Sequence, residues 1–577
     1  MSTEFARLTE NLPIRRKPTK DSFPTQAKSV KQWIEALPLA NSGATAKMLY
    51  NGLKELNTLE VDPLQRLETL ELMRHPIQFT LGGMDKHVIG QALPLPQQKR
   101  QIGQVMRDFH RELALGYKLA VVDICGPKGG VPFLRGRYVL LAVVRSMEHV
   151  GALLGKCYLT YSEISPGCWS ELHALFAYAS TQGLLEKLEK DPQVQGVAIS
   201  PMSCYVQAML MFLSNPYRLT QKEIVDLEAA TRVWSAYILL RLDGSGEGVF
   251  VIDPDQDHAP GVRVNTDARR VWRLDCAGLV THIKSQLETN VGRDGLLVPR
   301  SRLGQSAPLS SELVERLLLA WGFGGERAHQ RMPAGHILDV VVGLQGAHYL
   351  VGGSKDFNAF VNALSLHGVN LSDRERAAAW AQASSESAKP LVTQVEVQDQ
   401  SLGGYRIYWA SAANLRARVG ELIALSTVVD EGDDDPRDWM IGVMRWLRGG
   451  NTDSLEAGVQ LISRQAEAVA VRATTEGRNK VLHRGLLLAP LDLEAGAPTL
   501  LSNTLLDQNH PSELLRLPDP FGLSESGGVV GLTELKLLEN TGSYKVFGYA
   551  LEGHSAAPAG ADAVLRPTEL ESIWSTV

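Results

Sequence analysis

Asp399-Gln400-Ser401-Leu402-Gly403-Gly404-Tyr405-Arg406-Ile407-Tyr408-Trp409 closes one alternating apolar run, Val392 to Val397, and opens another. Two strands meeting at this point place a carboxylate and a hydroxyl side by side at a β-turn. The glycines allow the backbone to approach a ligand or a neighbouring strand closely. An acceptor and a hydroxyl at such a turn can read the polar edge of a flat ring. The spacing D-x-S-x-x-G alone is common: Asp243, Ser245 and Gly248 repeat it inside a glycine-rich stretch that reads more simply as a hairpin turn.

Outward from this stretch, the chain is too long for a single core. Its 577 residues give a prior of about four domains. With 44% apolar residues, 21% charged residues and a net charge of -6, the composition is that of an ordinary soluble protein. It offers no general electrostatic reason to bind nucleic acid or anionic membranes. No uninterrupted apolar run reaches the length of a membrane span. The start, with Glu4 and then Arg15-Arg16-Lys17-Pro18, lacks the apolar segment of a signal peptide. Cys125, Cys157, Cys168, Cys204 and Cys276 form no C-x-x-C pair, so buried, reduced thiols in a cytoplasmic protein are expected.

The periodicity divides the chain into segments. Residues 1–27 read as a polar, proline-punctuated tail, and 28–235 as an irregular α-helical region without a fixed repeat. Asp62-Pro63 opens one helix, which Pro76 should end or bend, and Thr220-Gln221-Lys222-Glu223 is a capping box for another. Leu119–Ile124 looks strand-like. Residues 236–320 read as a mixed α/β module, with a degenerate β-barrel as the alternative. Strand-like runs follow at His336–Val342 and His348–Val351, then a helical stretch, 354–390, and then alternation through 391–397, 405–409, 419–429, 439–447 and 457–462. The last part, 467–577, is β-rich. The fold class is therefore α+β multidomain, helical first and then strands.

Upstream of Asp399 stands Arg327-Ala328-His329-Gln330-Arg331, an R-x-x-x-R just before the first of these strands, with Pro333 close behind. The same spacing at Arg107/Arg111 and Arg269/Arg273 lacks that setting. R-x-x-x-R followed by D-x-S-x-x-G, with Trp439–Trp446 and Ala457–Leu461 as a closing strand pair, resembles the PilZ domain. That family is a small β-barrel receptor for cyclic di-GMP. The resemblance covers roughly 321–466, with 354–390 as a helical insertion.

The resemblance implies that Arg327 and Arg331 grip phosphate and guanine from a loop that closes over the ligand. Arginine suits this because its planar fork gives two parallel donors and stacks on a base, which lysine cannot do. It further implies that Asp399 accepts from the guanine N–H donors, that Ser401 adds a hydrogen bond and that Gly404 keeps the turn open. The implied protein is a non-enzymatic, cytoplasmic receptor with no metal, no nucleic-acid partner and no membrane span. Its helical region would meet protein partners, with an output such as motility, type IV pili or surface attachment. The plainer reading of the same residues is an exposed helix end at Arg327/Arg331 and an Asx-type turn at Asp399. With it goes an alternative function: an interaction scaffold whose barrel no longer binds nucleotide. An enzyme with Asp399 as base would need a second titratable group, and the sequence offers none.

Gly126-Pro127-Lys128-Gly129-Gly130 lacks the G-x-x-x-x-G-K-[S/T] spacing of a phosphate loop and reads as a tight turn. Asp433–Asp435 reads as a solvated loop rather than a metal site.

Overall fold

A computed structural model describes residues 2–191, 198–242, 249–262, 271–290, 295–322, 331–384, 389–428, 437–449, 453–475, 479–491, 496–506, 511–518 and 528–552. Arg327, the second D-x-S-x-x-G at Asp243–Gly248 and Asp433–Asp435 lie outside the described residues. The chain divides into two units, one made of Met1–Gln91 and Leu95–Gly325, the other of Ala92–Pro94 and Glu326–Val577.

The first unit is built on long helices, among them Pro63–Val88, Gln97–Cys125, Gly136–Leu159, Cys168–Thr181, Pro201–Leu213 and Gln221–Trp234. The expected caps are present. Asp62 Oδ1 accepts from the amides of Leu64 at 3.0 Å and Gln65 at 3.1 Å, and Thr220 and Glu223 form the reciprocal box. One local expectation is narrowed and another corrected. Pro76 does not end its helix, which continues to Val88, because Met73, Ile77 and Leu81 on either side are buried and hold the next turns in place. Leu119–Ile124 is the last part of the helix Gln97–Cys125, not a strand. Short apolar runs do not distinguish the two when the segment is buried on most sides. Gly136–Leu159 is long and apolar enough to cross a membrane by composition, but most of it is buried within this unit. All five cysteines are free, buried thiols.

The first unit holds a small antiparallel sheet of Leu239–Leu242, Trp272–Asp275 and Val249–Ile252, and the second unit carries the longer strands. The first set is β1 (Ile337–Val342), β2 (Thr393–Ser401), β3 (Gly404–Trp409), β4 (Leu422–Thr427), β5 (Met440–Gly449) and β6 (Leu455–Ser463). All pairings are antiparallel and run β1-β2-β3-β6-β5-β4 and back to β1, which closes a six-stranded barrel. Met332–Pro333 adds two residues of pairing to β2, at Gln400 and Asp399. The second set is β7 (Ala466–Thr475), β8 (Asn479–Leu488), β9 (Thr499–Ser502), β10 (Ser512–Arg516), β11 (Gly528–Asn540) and β12 (Lys545–Leu551). It also closes, in the order β7-β8-β9-β12-β11-β10. Taken by place in the chain, both barrels follow one strand order with the same antiparallel sense, so the second repeats the topology of the first.

Between β1 and β2 the chain forms three helices: α1 (Leu344–Val351), α2 (Phe357–Leu366) and α3 (Asp373–Ser384). The strand expected at His348–Val351 is thus part of a helix. Gly343, at φ 92°, turns the chain out of β1 one residue after it ends, and the apolar residues that follow pack at helical spacing. Leu344, Ala347, Phe357, Phe360, Val361 and Leu364 share one core with Val341, Leu422, Ala424, Ile441 and Val443 of the first barrel and with Ala468, Ala470, Leu482 and Leu486 of the second. The alternate residues Val469, Val471 and Ala473 belong instead to a separate core with Leu500, Leu514 and Phe547. Strand alternation therefore gives the second barrel two apolar faces, one of them shared with α1–α3 and the first barrel.

Candidate functional site

The hairpin β2–β3 turns through Leu402-Gly403, with Ser401 paired to Gly404. Along β2, Val395 and Val397 are buried inside the barrel, and strict alternation would send Asp399 inward with them. A bulge between Val397 and Asp399 inserts Gln398 as an unpaired residue and shifts the parity by one. Asp399 consequently lies opposite Arg406, while Val397 lies opposite the buried Ile407. Asp399 and Ser401 share the outer face of the barrel.

Arg331 sits just before the short pairing of Met332–Pro333 with β2, and its Nη1 lies 3.0 Å from Asp399 Oδ1. On the other side, Arg406 Nη1 is 3.6 Å from Asp399 Oδ2. The Asp399 side chain is 19% exposed, and its buried Oδ1 accepts no hydrogen bond among the described residues. This carboxylate is charge-compensated yet keeps acceptor capacity, which suits a ligand bearing paired N–H donors. Ser401 Oγ reaches the Gly404 carbonyl at 3.4 Å, a long contact that leaves the hydroxyl easily redirected.

Gly404 serves the barrel directly. A Cβ at this position would sit 1.9 Å from the Val459 carbonyl oxygen of β6. The close approach that glycine allows here is therefore between β3 and β6.

Sequence reasoning passed over three neighbours. The pairings line up Pro333, Asp399, Arg406, Gly458 and Trp446 in one row across adjacent strands. A Cβ on Gly458 would fall 1.9 Å from Trp446 Nε1, so the indole lies across that glycine, one strand from Arg406. Arg406 in turn donates to Glu456 through Nε and Nη2, and Glu456 Oε2 also holds Arg448 Nη2 at 3.1 Å. The legible signals were the lone Gly458 within β6 and the tryptophan of β5, since a glycine inside a strand marks a close approach.

Of the expected site residues, Arg331, Asp399, Ser401 and Gly404 are brought together at one hairpin, and Arg327 lies outside the described residues. The chain matches the family description "Cyclic-di-GMP receptor FimW, N-terminal domain" over residues 28–244. It matches "Cyclic-di-GMP receptor FimW, middle PilZ domain" over 249–389 and 367–468. It is 24% identical over 538 residues to the cyclic-di-GMP receptor FimW of Pseudomonas aeruginosa, an alignment covering 85% of this chain and 86% of that protein. No solved structure matches. A helical region, a barrel with the arginine and D-x-S-x-x-G residues at one hairpin, and two matches that together span most of the chain lead to one assignment: the protein belongs to the FimW family of cyclic-di-GMP receptors.

Proposed function

We propose that this chain is a cytoplasmic, non-enzymatic receptor that binds cyclic di-GMP at the β2–β3 hairpin and converts binding into altered protein–protein contacts. The observation that carries the reading is the meeting of Arg331 with Asp399, residues far apart in the chain and drawn from the two motifs. Cyclic di-GMP presents two phosphodiester anions and two guanines. Asp399 has the acceptors for guanine N1–H and N2–H donors, and Ser401 can add a hydrogen bond. Arg331, with Arg327 from the same motif, has the fork for a phosphate or for the O6/N7 edge of guanine. Trp446 offers a ring on the same row, suited to stacking with a base.

Closing of the arginine-bearing segment would change the surface around the first barrel, and the helical N-terminal region would carry the change to protein partners. The expected output is control of motility, type IV pili or surface attachment. The alternative, a scaffold whose barrel has lost nucleotide binding, draws on the same ion pair, because Arg331 already has a partner in Asp399.

Calorimetric titration of the purified chain with cyclic di-GMP separates the two. Binding should be seen with the natural sequence and weaken by about tenfold or more in Arg331→Ala and in Asp399→Ala. Absence of heat, or unchanged affinity in both variants, would leave the scaffold.

A further inference from the structure

The acceptor of the site does not stand alone. Asp399 is flanked by two guanidiniums, and only one of them lies in the motif pair that suggested the ligand. Arg331 precedes the first barrel strand, at the end of the segment that carries both motif arginines. Arg406 is fixed in β3, directly opposite Asp399 in the hairpin. Its side chain is 35% exposed, and the buried carboxylate of Glu456 holds it through Nε and Nη2. Glu456 is itself braced by Arg448. The order outward from the barrel wall is thus a fixed acid, Glu456, a fixed arginine, Arg406, the ligand-reading acid, Asp399, and Arg331 beside the Met332–Pro333 pairing.

This order matters once a ligand arrives. An arginine whose fork grips phosphate or guanine cannot keep its Nη1 beside Asp399 as well. If Arg331 turns to the ligand, Asp399 loses a compensating charge at the moment it must accept guanine N–H donors as a carboxylate. A carboxylate oxygen has two lone-pair sites, so Oδ2 can face Arg406 and still accept from a base.

We infer that Arg406, anchored by Glu456, is a positioning residue that keeps Asp399 ion-paired and aimed at bound guanine after Arg331 has left it for the ligand. The inference rests on the receptor reading above. Arg331 then exchanges partners, from Asp399 to the nucleotide, while Arg406 stays in place, so the barrel wall keeps the acceptor poised in both states.

The test is a calorimetric double-mutant cycle on the full chain with cyclic di-GMP. Arg406→Gln should weaken binding roughly tenfold, the scale of a charge-assisted contact. In an Asp399→Asn background the same substitution should change affinity by less than about twofold, because the carboxylate it serves is gone. Glu456→Gln, which loosens the anchor without touching Asp399, should reproduce part of the loss, and Arg406→Lys should restore part of it. A second titrant, the inosine analogue of cyclic di-GMP, lacks the N2 amine that donates to Asp399, and should show a smaller penalty from Arg406→Gln. Circular dichroism of each variant confirms that the barrel is intact. Equal losses in both Asp399 backgrounds and for both nucleotides, or an Arg406→Gln variant that binds like the natural chain, would overturn the inference while leaving the receptor intact. No binding by the natural chain would overturn both.

Discussion

At the scale of single residues, the site turns on parity and on two glycines. The apolar positions Val395 and Val397 point Asp399 into the barrel if the alternation is simply continued, and a buried unpaired carboxylate there would be costly. The bulge at Gln398 resolves the conflict. Its only trace in the sequence is that conflict between the apolar pattern and the motif. Gly404 was legible as a required glycine, but its close approach to Val459 was not, since that neighbour arrives from β6 and belongs to no local pattern. The reason yields a prediction. In Gly404→Ala the added carbon meets the backbone carbonyl of Val459 at 1.9 Å, and β3 or β6 must shift to relieve it. The cost should be about 2 kcal/mol by the scale of overpacked sites. Thermal unfolding should show it as a lowered midpoint in the absence of any nucleotide. A variant as stable as the natural chain that nonetheless loses binding would instead assign Gly404 to the ligand.

At the scale of elements, the helical stretch between β1 and β2 was readable in type and only partly in extent. Phe357, Phe360, Val361 and Leu364 announce α2 by their spacing, whereas His348–Val351 looked like a strand because four residues cannot show a period. Ser372-Asp373-Arg374-Glu375 has the spacing of a capping box, and Ser372 Oγ does accept from the Glu375 amide at 3.3 Å. What no local pattern reveals is the distant partner. Glu375 Oε1 accepts from Arg472 Nε of β7 at 2.6 Å, and both side chains are buried. Burial works against the charge of Glu375, but the donors of Ser372 and Arg472 outweigh it and hold the carboxyl below its usual range. Glu375→Ala removes one acceptor from a buried guanidinium that keeps two others, Glu513 at 2.7 Å and the Asn370 carbonyl at 2.8 Å. The expected loss is about 2–3 kcal/mol, somewhat under that of a fully orphaned buried charge. Amide hydrogen exchange in α3 and β7 should speed up by roughly a hundredfold where it proceeds through opening of this contact. Unchanged exchange there would mean that α3 is held by its apolar face alone.

At the scale of the whole chain, each unit contains histidines that have been taken out of water, and this ties its stability to pH. His348, in α1, is buried between the barrels, where its Nε2 lies 3.1 Å from the Val469 carbonyl. Burial lowers its pKa to about 3, against the favourable backbone bond. In the first unit, burial likewise brings His110 down to about 3, and the Lys156 charge adds to the effect. Burial, His110, Arg74 and Arg145 lower His149 well below its usual value. The unfolded chain can protonate these imidazoles from pH about 6.5 downward, and the folded chain cannot until far lower. Between those limits the unfolded state binds more protons, so stability rises with pH and falls on acidification. Each such histidine contributes a slope of about 1.4 kcal/mol per pH unit. In His348→Gln the side chain can still donate to Val469 but takes up no proton. Denaturation of the natural chain and of this variant at pH 7, 6 and 5 should therefore diverge, with the variant losing less stability per unit of pH in the transition assigned to the barrels. The first unit, with His110 and His149 untouched, should keep its full acid sensitivity in both proteins. Parallel pH slopes for the barrel transition would show that His348 is protonated, or hydrated, in the folded state. Nucleotide titrations run at pH 7 or above lie outside this window, so binding measured there reports the hairpin rather than the loosening of the core that supports it.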